Sequence, residues 1–376
     1  MTFTVRPISP AEHLDHVRSR RSVSFLQTPA WAEVKTEWRS ESLGWYAGDR
    51  LAATGLVLHR PVPRLGCTLA YLPWGPDIDW AGGLTVWFPP LVAYLRSQGA
   101  FAIRVAPPVP TDTWSAAQVK EGIADPEVGR LTDIPGRADP VGAEVTRYLR
   151  DSGWIPQNPE DGFGAGQPQF TYEIRLRHPD RTTRSEDEVL AGMNQLWRRN
   201  IKKAAKAGVE VTTATGGEDL KAFHDLYVHT AERDHFTPRP LAYFEKMFTA
   251  LSAEDPERIT LYLARHDGDL VAATIYVRVG AHAWYVYGAS STEKRDVRGS
   301  NALQWAMIRD SLAGGCDVYD LRGITPTLSA DDPHVGLIQF KVGTGGQAVR
   351  YVGEWDLPLR PILYRAFDLY MRRRSR

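Results

Sequence analysis

The chain has 376 residues, 43% of them hydrophobic and 24% charged, which favours a soluble globular enzyme of two domains over a fibrous or disordered protein. Forty-five Lys and Arg residues balance 45 Asp and Glu residues, so no global positive field attracts nucleic acid, and histone-like and polybasic membrane proteins are excluded. Two cysteines cannot build a disulfide framework, and without a signal-like N-terminal segment they predict a cytoplasmic protein.

The predicted elements begin with a segment that occurs twice. Residues 48–54 read GDRLAAT and residues 268–274 read GDLVAAT. In each copy an apolar strand meets a tight Gly-Asp turn and a second apolar strand follows, which predicts a β-hairpin. A second repeat, a helix that leads into a strand, follows each hairpin at residues 91–105 and again at residues 303–321.

The two repeats predict two domains built on one plan, in the order hairpin, strand, helix, strand. That order is typical of N-acetyltransferase folds. The predicted fold class is therefore α+β, with two tandem N-acetyltransferase (GNAT)-like domains, each a mixed, mainly antiparallel sheet flanked by helices. Segments rich in Gly, Pro and Asn at residues 107–110 and 157–168 indicate surface loops near a domain boundary.

The spacing of apolar residues predicts three more helical segments. They span residues 186–206, residues 221–251 with a break around 237–240, and residues 359–371. The last segment ends in Arg372-Arg-Arg-Ser-Arg376 and would suit an anionic membrane surface.

The sequence carries no recognisable metal or cofactor motif. His224, His229 and His235 have spacings that match no helical ligand pair, so we expect no metal. No Gly-x-Ser-x-Gly elbow, Walker loop or dinucleotide fingerprint occurs. An acetyl-CoA enzyme of this fold needs a pyrophosphate loop near residues 294–302, but Asp296 stands there where a basic or amide residue belongs. Acetyl-CoA is therefore disfavoured, and we expect no cofactor.

One predicted helix concentrates positive charge. Residues 197–206 hold five cations and no acid, namely Arg198, Arg199, Lys202, Lys203 and Lys206. On a helix these side chains fit a phosphate or RNA backbone, and a merely solvated face fits equally well. The glycines within residues 343–346 likewise predict either a turn whose amides face an anion or a simple hairpin bend.

Two further groups predict the wall of a cleft. In Trp284-Tyr285-Val286-Tyr287, strand alternation places both tyrosines on one face, toward either a ligand or the core. Arg239 and Tyr243 are four residues apart and would share one face of a helix. A surface ion pair is the alternative for this segment.

Several motifs follow one another from about residue 25 to residue 355. They are Phe25-Leu-Gln-Thr-Pro-Ala-Trp31-Ala-Glu-Val-Lys35, Tyr71-Leu-Pro-Trp-Gly75-Pro76-Asp-Ile-Asp79, Arg199-Asn-Ile-Lys-Lys-Ala with Gly208-Val209, Thr230-Ala-Glu-Arg233-Asp-His-Phe236-Thr-Pro-Arg239, Tyr287-Gly-Ala-Ser290, Tyr319-Asp320 and Phe340-Lys341. Together they resemble the Fem-type peptidyltransferases, the FemABX family, over nearly the whole chain. Each motif is weak alone, and the ordered set is specific.

The resemblance implies an aminoacyltransferase with two domains of the N-acetyltransferase type. Residues 1–160 with 352–376 would bind the acceptor, and residues 161–351 would bind the acceptor arm of an aminoacyl-tRNA. The enzyme would move an amino acid from that tRNA to an amine of the stem peptide of a peptidoglycan precursor, lipid II or UDP-MurNAc-pentapeptide, and so build the interpeptide bridge. The coiled-coil arm of some members is missing, and peripheral association with the inner face of the membrane is a further expectation.

By position, the resemblance also implies a role for each site residue. The acceptor would be bound by Lys35, Thr237, Arg239, Tyr243, one of Tyr285 or Tyr287, and Trp74. Lys341 would stand beside the aminoacyl ester, where its ammonium group stabilises the tetrahedral oxyanion of aminolysis, and loss of such a donor costs about 10²–10³ in rate. Phe340 would lie near the channel for the tRNA 3′ end. No nucleophilic Ser or Cys is needed.

Three positions depart from the family pattern. Ala106 stands where many members carry an acid that has been considered as a base, Phe101 where some carry a tyrosine, and Trp74 where arginine is frequent. All three fall in the acceptor domain, so a small peptide or amino-sugar acceptor in secondary metabolism is an alternative. An inactive relative that binds lipid II or a partner enzyme without catalysis is another, and its signature would be loss of Lys341 or Lys35, both of which are present.

Overall fold

The computed structural model of the protein describes residues 2–62, 66–157, 166–332 and 334–374. It divides into two compact units. Unit 1 comprises Met1–Asp112, Arg137–Gln169 and Arg350–Arg376, and unit 2 comprises Thr113–Gly136 and Phe170–Val349. The predicted boundary at residues 160–161 lies outside the described residues.

Residues 113–136 belong to unit 2, whereas the prediction placed them in the first domain. Trp114, Val119 and Leu131 are buried in the core of unit 2, and the amide of Leu131 donates to the carbonyl of Pro326 at 2.8 Å. A segment this short cannot bury enough apolar surface by itself, so it folds with the core that covers its side chains.

The elements alternate along the chain as follows. The strands are β1 (Thr4–Pro7), β2 (Arg39–Ala47), β3 (Arg50–Val62), β4 (Cys67–Leu72), β5 (Ala100–Val105), β6 (Pro110–Ser115), β7 (Arg137–Ala138), β8 (Ile155–Pro156), β9 (Phe170–Arg175), β10 (Glu210–Ala214), β11 (Ile259–His266), β12 (Asp269–Val279), β13 (His282–Ser290), β14 (Val318–Gly323), β15 (Gln347–Tyr351) and β16 (Trp355–Pro358). The α-helices are α1 (Pro10–Ser19), α2 (Ala30–Val34), α3 (Phe88–Ser97), α4 (Ala116–Ala124), α5 (Pro140–Asp151), α6 (Glu186–Gly192), α7 (Gln195–Lys206), α8 (Gly217–Asp234), α9 (Leu241–Glu254), α10 (Gly299–Ala313), α11 (Val335–Val342) and α12 (Pro361–Arg374).

Each unit has its own mixed sheet. The sheet of unit 1 has the order β1-β2-β3-β4-β5-β16-β8, and the strands of unit 2 follow the order β10-β11-β12-β13-β14-β9. Their neighbours are antiparallel except at β4–β5 and β13–β14, which are parallel. Leu43, Trp45 and Leu91 belong to the core of unit 1, and Tyr172 and Met307 to that of unit 2.

The predicted repeat is present in both units. Hairpin β2–β3 leads through β4 and helix α3 to β5, and hairpin β11–β12 leads through β13 and helix α10 to β14. Both hairpins shift register close to the turn. Strand pairing resumes at Arg50 in the first hairpin and at Asp269 in the second. Arg50 is therefore the structural equivalent of Asp269. The sequence match between residues 48–54 and 268–274 sets Asp49 against Asp269 instead, so the two alignments differ by one residue.

The predicted helix over residues 186–206 is two helices, α6 and α7. Met193 and Asn194 are extended, and Asn194 Oδ1 accepts a hydrogen bond from the amide of Trp197 at 2.8 Å. This N-cap begins a new helix although the apolar spacing continues across it. The break predicted around residues 237–240 is confirmed, because α8 ends before a left-handed His235 and α9 begins after Pro240. Among the helices of the described ranges, none has the length and hydropathy to cross a membrane.

Candidate active site

Lys341 is a buried lysine at the end of a short helix. It lies in the last turn of α11 and is only 3% exposed. Its Nζ donates to the carbonyl of Gly323 at 2.7 Å and lies 3.4 Å from the carbonyl of Arg322. These carbonyls close strand β14, where Arg322 has a left-handed φ of 64° and the pairing with β9 shifts register. An irregular strand end therefore holds the amine in place.

Burial lowers the pKa of Lys341 to about 7, an effect that the Asp320 carboxylate opposes and the Arg322 guanidinium reinforces. Near neutral pH the amine is therefore present in both its charged and its neutral form. When charged it can donate to a developing oxyanion, and when neutral it can accept a proton. A buried amine with such a pKa is typical of functional sites.

The basic helix α7 packs against the helix that carries Lys341. Trp197 Nε1 donates to the carbonyl of Phe340 at 2.8 Å, and the centres of the two rings are 4.7 Å apart. Gly343 allows this approach, since any side chain at that position would overlap the Trp197 indole. The amide of Asn194 donates to the carbonyl of Gly343 at 3.0 Å. The first turn of α7 and the residues beside Lys341 are thus fixed to each other.

Four of the five cations of α7 are exposed, namely Arg199, Lys202, Lys203 and Lys206. Arg198 is different, because its Nη1 donates to the carbonyls of Ala191 and Met193 at 2.9 and 2.8 Å. Arg198 therefore holds the connection between α6 and α7. The other four leave a basic face that is open to an anionic partner.

The glycine-rich turn after α11 is not an anion-binding loop at residues 343–345. The amides of these three residues donate to carbonyls three or four positions earlier and so continue the hydrogen bonding of α11. Gly345 has a φ of 78°, and a side chain there would overlap the carbonyl of Gly192. Close packing against the end of α6 and the start of α7 explains Gly345 and Gly343.

A second group of predicted site residues surrounds Arg239. The Arg239 guanidinium lies 4.8 Å from the centre of the Tyr243 ring, a cation–π contact in place of the ion pair considered above. The hydroxyls of Tyr243 and Tyr287 are 3.4 Å apart. Arg239 and Thr237 are exposed in the connection between α8 and α9. A cation and two phenol hydroxyls therefore meet at one exposed position of unit 2.

Tyr285 and Tyr287 lie on opposite faces of the sheet, which corrects the prediction that they share one. Tyr285 is paired with Tyr276, and Tyr287 is paired with Ile275, so Val286 is an extra residue in a β-bulge. Adjacent residues of the partner strand face opposite ways, and the two tyrosines follow them. Tyr287 contacts the aromatic side chains of α8 and α9. Tyr285 packs on the core of unit 2, where burial raises its pKa to about 12.

Lys35 and Trp74, the predicted acceptor residues of unit 1, are both partly exposed. Lys35 ends helix α2, and its Nζ is 3.4 Å from Glu37 Oε1. Trp74 has a left-handed φ of 48°, and its ring is 4.5 Å from that of Tyr351. Its indole N–H is buried without a hydrogen-bond partner in the described part of the chain. A buried donor without a partner is costly to stability, and this nitrogen is closed to solvent in the structure.

Unit 1 also holds a buried polar network that the sequence analysis missed. Arg104 donates to both carboxylate oxygens of Asp356 at 2.7 and 2.8 Å and lies 3.7 Å from Glu354. Tyr71 donates to Glu354, and Tyr364 donates to Asp356 at 2.9 Å. Burial raises the pKa of Glu354, and Arg104 opposes that shift. Arg104 and Asp356 are far apart in the sequence, and the one available signal was a charged residue inside the apolar strand of residues 101–105.

The family model of the FemAB family matches residues 8–269 and 264–372. The chain belongs to the FemAB family. One similar protein is a lipid II:glycine glycyltransferase of Staphylococcus epidermidis, which is 22% identical over 422 residues. The alignment covers 95% of this chain and 93% of that relative. The resemblance inferred from the motifs is thereby confirmed.

Solved structures confirm the fold of this FemAB family member. The crystal structure of FemX is similar with a TM-score of 0.78 at 21% identity, over 96% of this chain and 99% of FemX. A tandem GNAT protein from the clavulanic acid biosynthesis pathway has a TM-score of 0.50 at 13% identity, over 94% of this chain and 98% of that protein. The predicted pair of N-acetyltransferase-like folds is therefore correct.

In this FemAB protein two groups of predicted site residues come together, both within unit 2. Unit 2 brings together Phe340, Lys341 and the start of α7, and separately Arg239, Tyr243 and Tyr287. Unit 1 supplies Lys35 and Trp74. Among the described residues, no cluster of three or more His, Cys, Asp or Glu side chains is placed to hold a metal ion.

Proposed function

We propose that this FemAB protein transfers an amino acid from an aminoacyl-tRNA to an amine of the stem peptide of a peptidoglycan precursor. One observation carries the proposal: the buried amine of Lys341 lies at the end of a helix whose Phe340 is hydrogen-bonded to the basic helix α7. A basic face suits the tRNA backbone, and a fixed ammonium suits the reacting ester. The similarity to a glycyltransferase supports a transferase.

The proposed chemistry is aminolysis of the ester that joins the amino acid to the tRNA. The acceptor amine attacks the ester carbonyl, an amide bond forms, and the tRNA hydroxyl leaves. The charged form of Lys341 stabilises the oxyanion of the tetrahedral intermediate. The ester is already activated, so positioning of the two substrates supplies much of the remaining rate enhancement. This route uses no covalent enzyme intermediate and no cofactor.

On the acceptor side, we assign Arg239 and Lys35 to the phosphates of the precursor. Arg239 presents a guanidinium group beside two phenol hydroxyls, donors that suit a diphosphate. Lys35 is partly exposed and carries a compact positive charge that suits a phosphate. Lipid II and UDP-MurNAc-pentapeptide both carry such a diphosphate, and the named substrate of the staphylococcal relative, lipid II, favours the former. The reaction is proposed to take place in the cytoplasm.

A second acceptor class, a small peptide or amino sugar, is favoured by one feature of unit 1. Phe101 is completely buried and packs on Phe367 of α12 at a ring distance of 5.2 Å, so this position offers no hydroxyl to an acceptor. Ala106 is also buried and offers no carboxylate. The attacking amine would then lose its proton to a substrate group.

The test is single-turnover transfer from a pool of radiolabelled aminoacyl-tRNAs, with lipid II and UDP-MurNAc-pentapeptide offered side by side. Label on either acceptor supports the proposal and names both the amino acid and the substrate. The Lys341→Ala variant should bind the acceptor normally but react about 10²–10³ more slowly. Label on neither acceptor, with the ester intact, would contradict the proposal, and the same assay with small amines would then test the second class.

A further inference from the structure

Helix α12 is fixed to unit 1 by its inner face. Leu363, Tyr364 and Phe367 pack against a small core that includes Phe101. The hydroxyl of Tyr364 donates to the buried Asp356 at 2.9 Å. These contacts leave the opposite side of the helix facing outward.

The outer face of α12 presents apolar side chains to solvent. Ile362 is 88% exposed and Leu369 is 53% exposed. Arg365 and Ala366 lie between them and are exposed too. Positions 362, 365, 366 and 369 follow the i, i+3, i+4, i+7 spacing of a single helical face. Two large aliphatic side chains and one arginine therefore share the outer face of α12.

The charge around this outer face is positive. Arg360 is exposed immediately before the helix, and Arg365 lies on the face itself. The sequence of α12 ends in three consecutive arginines, and Asp368 is its single acidic residue. Asp368 is partly buried and has an interaction partner. The net charge of the protein is zero, so this is a local excess of positive charge.

We infer that the outer face of α12 docks the protein on an anionic lipid bilayer. Aliphatic side chains that enter the interface, flanked by arginines that meet lipid phosphates, are the features of a helix that lies in the plane of a membrane. Two aliphatic side chains are too little for a stable protein–protein interface, which buries about 800 Å² on each partner. This docking goes beyond the proposed transfer reaction and does not depend on the aminoacyl donor.

The experiment is co-sedimentation of the full chain with phosphatidylcholine vesicles, with and without phosphatidylglycerol, and in the absence of lipid II. We expect binding to the anionic vesicles that weakens as the salt concentration rises. The Ile362→Ala/Leu369→Ala variant should bind roughly tenfold more weakly, and Arg365→Ala roughly fivefold more weakly. Thermal unfolding of each variant checks that the fold is intact, which is expected because these side chains are exposed.

Matched controls remove an exposed side chain elsewhere in unit 1. Ile155→Ala replaces an isoleucine that is 42% exposed, and Arg150→Ala replaces an exposed arginine of α5. Both should bind vesicles like the unaltered protein. Equal binding by the α12 variants and these controls would overturn the inference, and so would binding that requires lipid II in the vesicles. Because no tRNA is present, failure of docking is distinguishable from failure of the proposed transfer.

Discussion

At the scale of single residues, the buried amine of Lys341 lowers the stability of the folded protein. Its amine is buried, and burial is what lowers its pKa to about 7. Two backbone carbonyls at the end of β14 contact it, but they do not replace the hydration that a charged amine has in water. Buried amines with a lowered pKa are typical of functional sites, which agrees with the role proposed for Lys341.

The first prediction concerns Lys341 and the pH dependence of folding. In the unfolded chain the Lys341 amine keeps its proton up to about pH 10.5, and in the folded protein it loses that proton near pH 7. Between these values the unfolded state binds more protons, so the free energy of unfolding should rise with pH across this window. Lys341→Met removes the buried charge and should stabilise the protein by about 2–5 kcal/mol at pH 7 and below, with a smaller gain at high pH.

Denaturant unfolding of the unaltered chain and Lys341→Met at several pH values measures this difference. Lys120→Met, a change at an exposed lysine of α4, is the control and should alter stability little at any pH. A Lys341→Met variant that is less stable than the unaltered chain at pH 7 would mean that burial of the amine does not destabilise the folded protein.

A second prediction at this scale concerns the two tyrosines that the β-bulge separates. Tyr287→Phe removes a hydroxyl beside Tyr243 and Arg239, and should raise the KM for the acceptor about five- to tenfold, the effect of one lost hydrogen bond. Tyr285→Phe removes a hydroxyl on the core side of the sheet and should leave that KM unchanged. Steady-state transfer assays compare the two. A larger effect of Tyr285→Phe would contradict the assignment of faces.

At the scale of elements, helix α7 combines two tasks. Trp197 and Arg198 fix its first turn to α11 and to the end of α6. The exposed cations, which are Arg199, Lys202, Lys203 and Lys206, lie on its remaining surface. Under the proposed function, a basic helix fixed beside Lys341 would position the bound tRNA relative to the reacting ester.

The prediction for α7 is a change in the salt dependence of tRNA binding. Each phosphate contact contributes a slope of roughly 0.7–0.9 in log affinity against log salt concentration. The triple variant Lys202→Ala/Lys203→Ala/Lys206→Ala should therefore bind tRNA more weakly and with a slope smaller by about 2. Filter binding over a range of salt concentrations measures it.

Two controls make that result specific. Lys221→Ala removes an exposed lysine of α8 and should leave both affinity and slope unchanged. Arg198→Ala should lower stability rather than the slope, because its guanidinium holds the carbonyls of Ala191 and Met193. Loss of affinity with an unchanged slope in the triple variant would indicate that these lysines do not contact phosphates.

At the scale of the whole molecule, the sequence predicted what depends on local patterns. Apolar alternation and the turn residues near 48–54 and 268–274 predicted the hairpin of each unit and the helix and strand that follow it. Phe340 and Lys341 were named as candidates through a short motif. The bulge at Val286 could not be predicted, because it depends on which residues of β12 lie opposite. The division of residues 186–206 into α6 and α7 depends on a single cap, Asn194, within continuous apolar spacing.

The polar network of unit 1 was beyond prediction for a different reason. Its members come from three separate stretches of the chain, Tyr71 and Arg104 from the first, Gln157 from the second, and Glu354 and Asp356 from the third. No sequence pattern relates positions so far apart. In the structure their side chains join the three stretches that make up unit 1, and through Tyr364 they also hold α12.

The last prediction is that Arg104 is essential for the stability of unit 1. Arg104→Met removes the cation between two buried carboxylates, Asp356 and Glu354, and should cost about 3–5 kcal/mol in the free energy of unfolding. Arg96→Met, at an exposed position of α3, is the matched control and should change it by less than about 0.5 kcal/mol. Urea unfolding measures both changes, from the midpoint and the slope of the transition.

The pH dependence of this loss separates a charge effect from a packing effect. Burial already raises the pKa of Glu354, and removal of Arg104, which opposes that shift, should raise it further. A carboxylate with a raised pKa in the folded state favours folding when protonated, and this contribution is lost as the pH rises through that pKa. Arg104→Met should therefore destabilise the protein least near pH 4.5 and progressively more toward neutral pH. An equal loss in the free energy of unfolding at pH 4.5 and at neutral pH would mean that the arginine acts through its aliphatic packing instead.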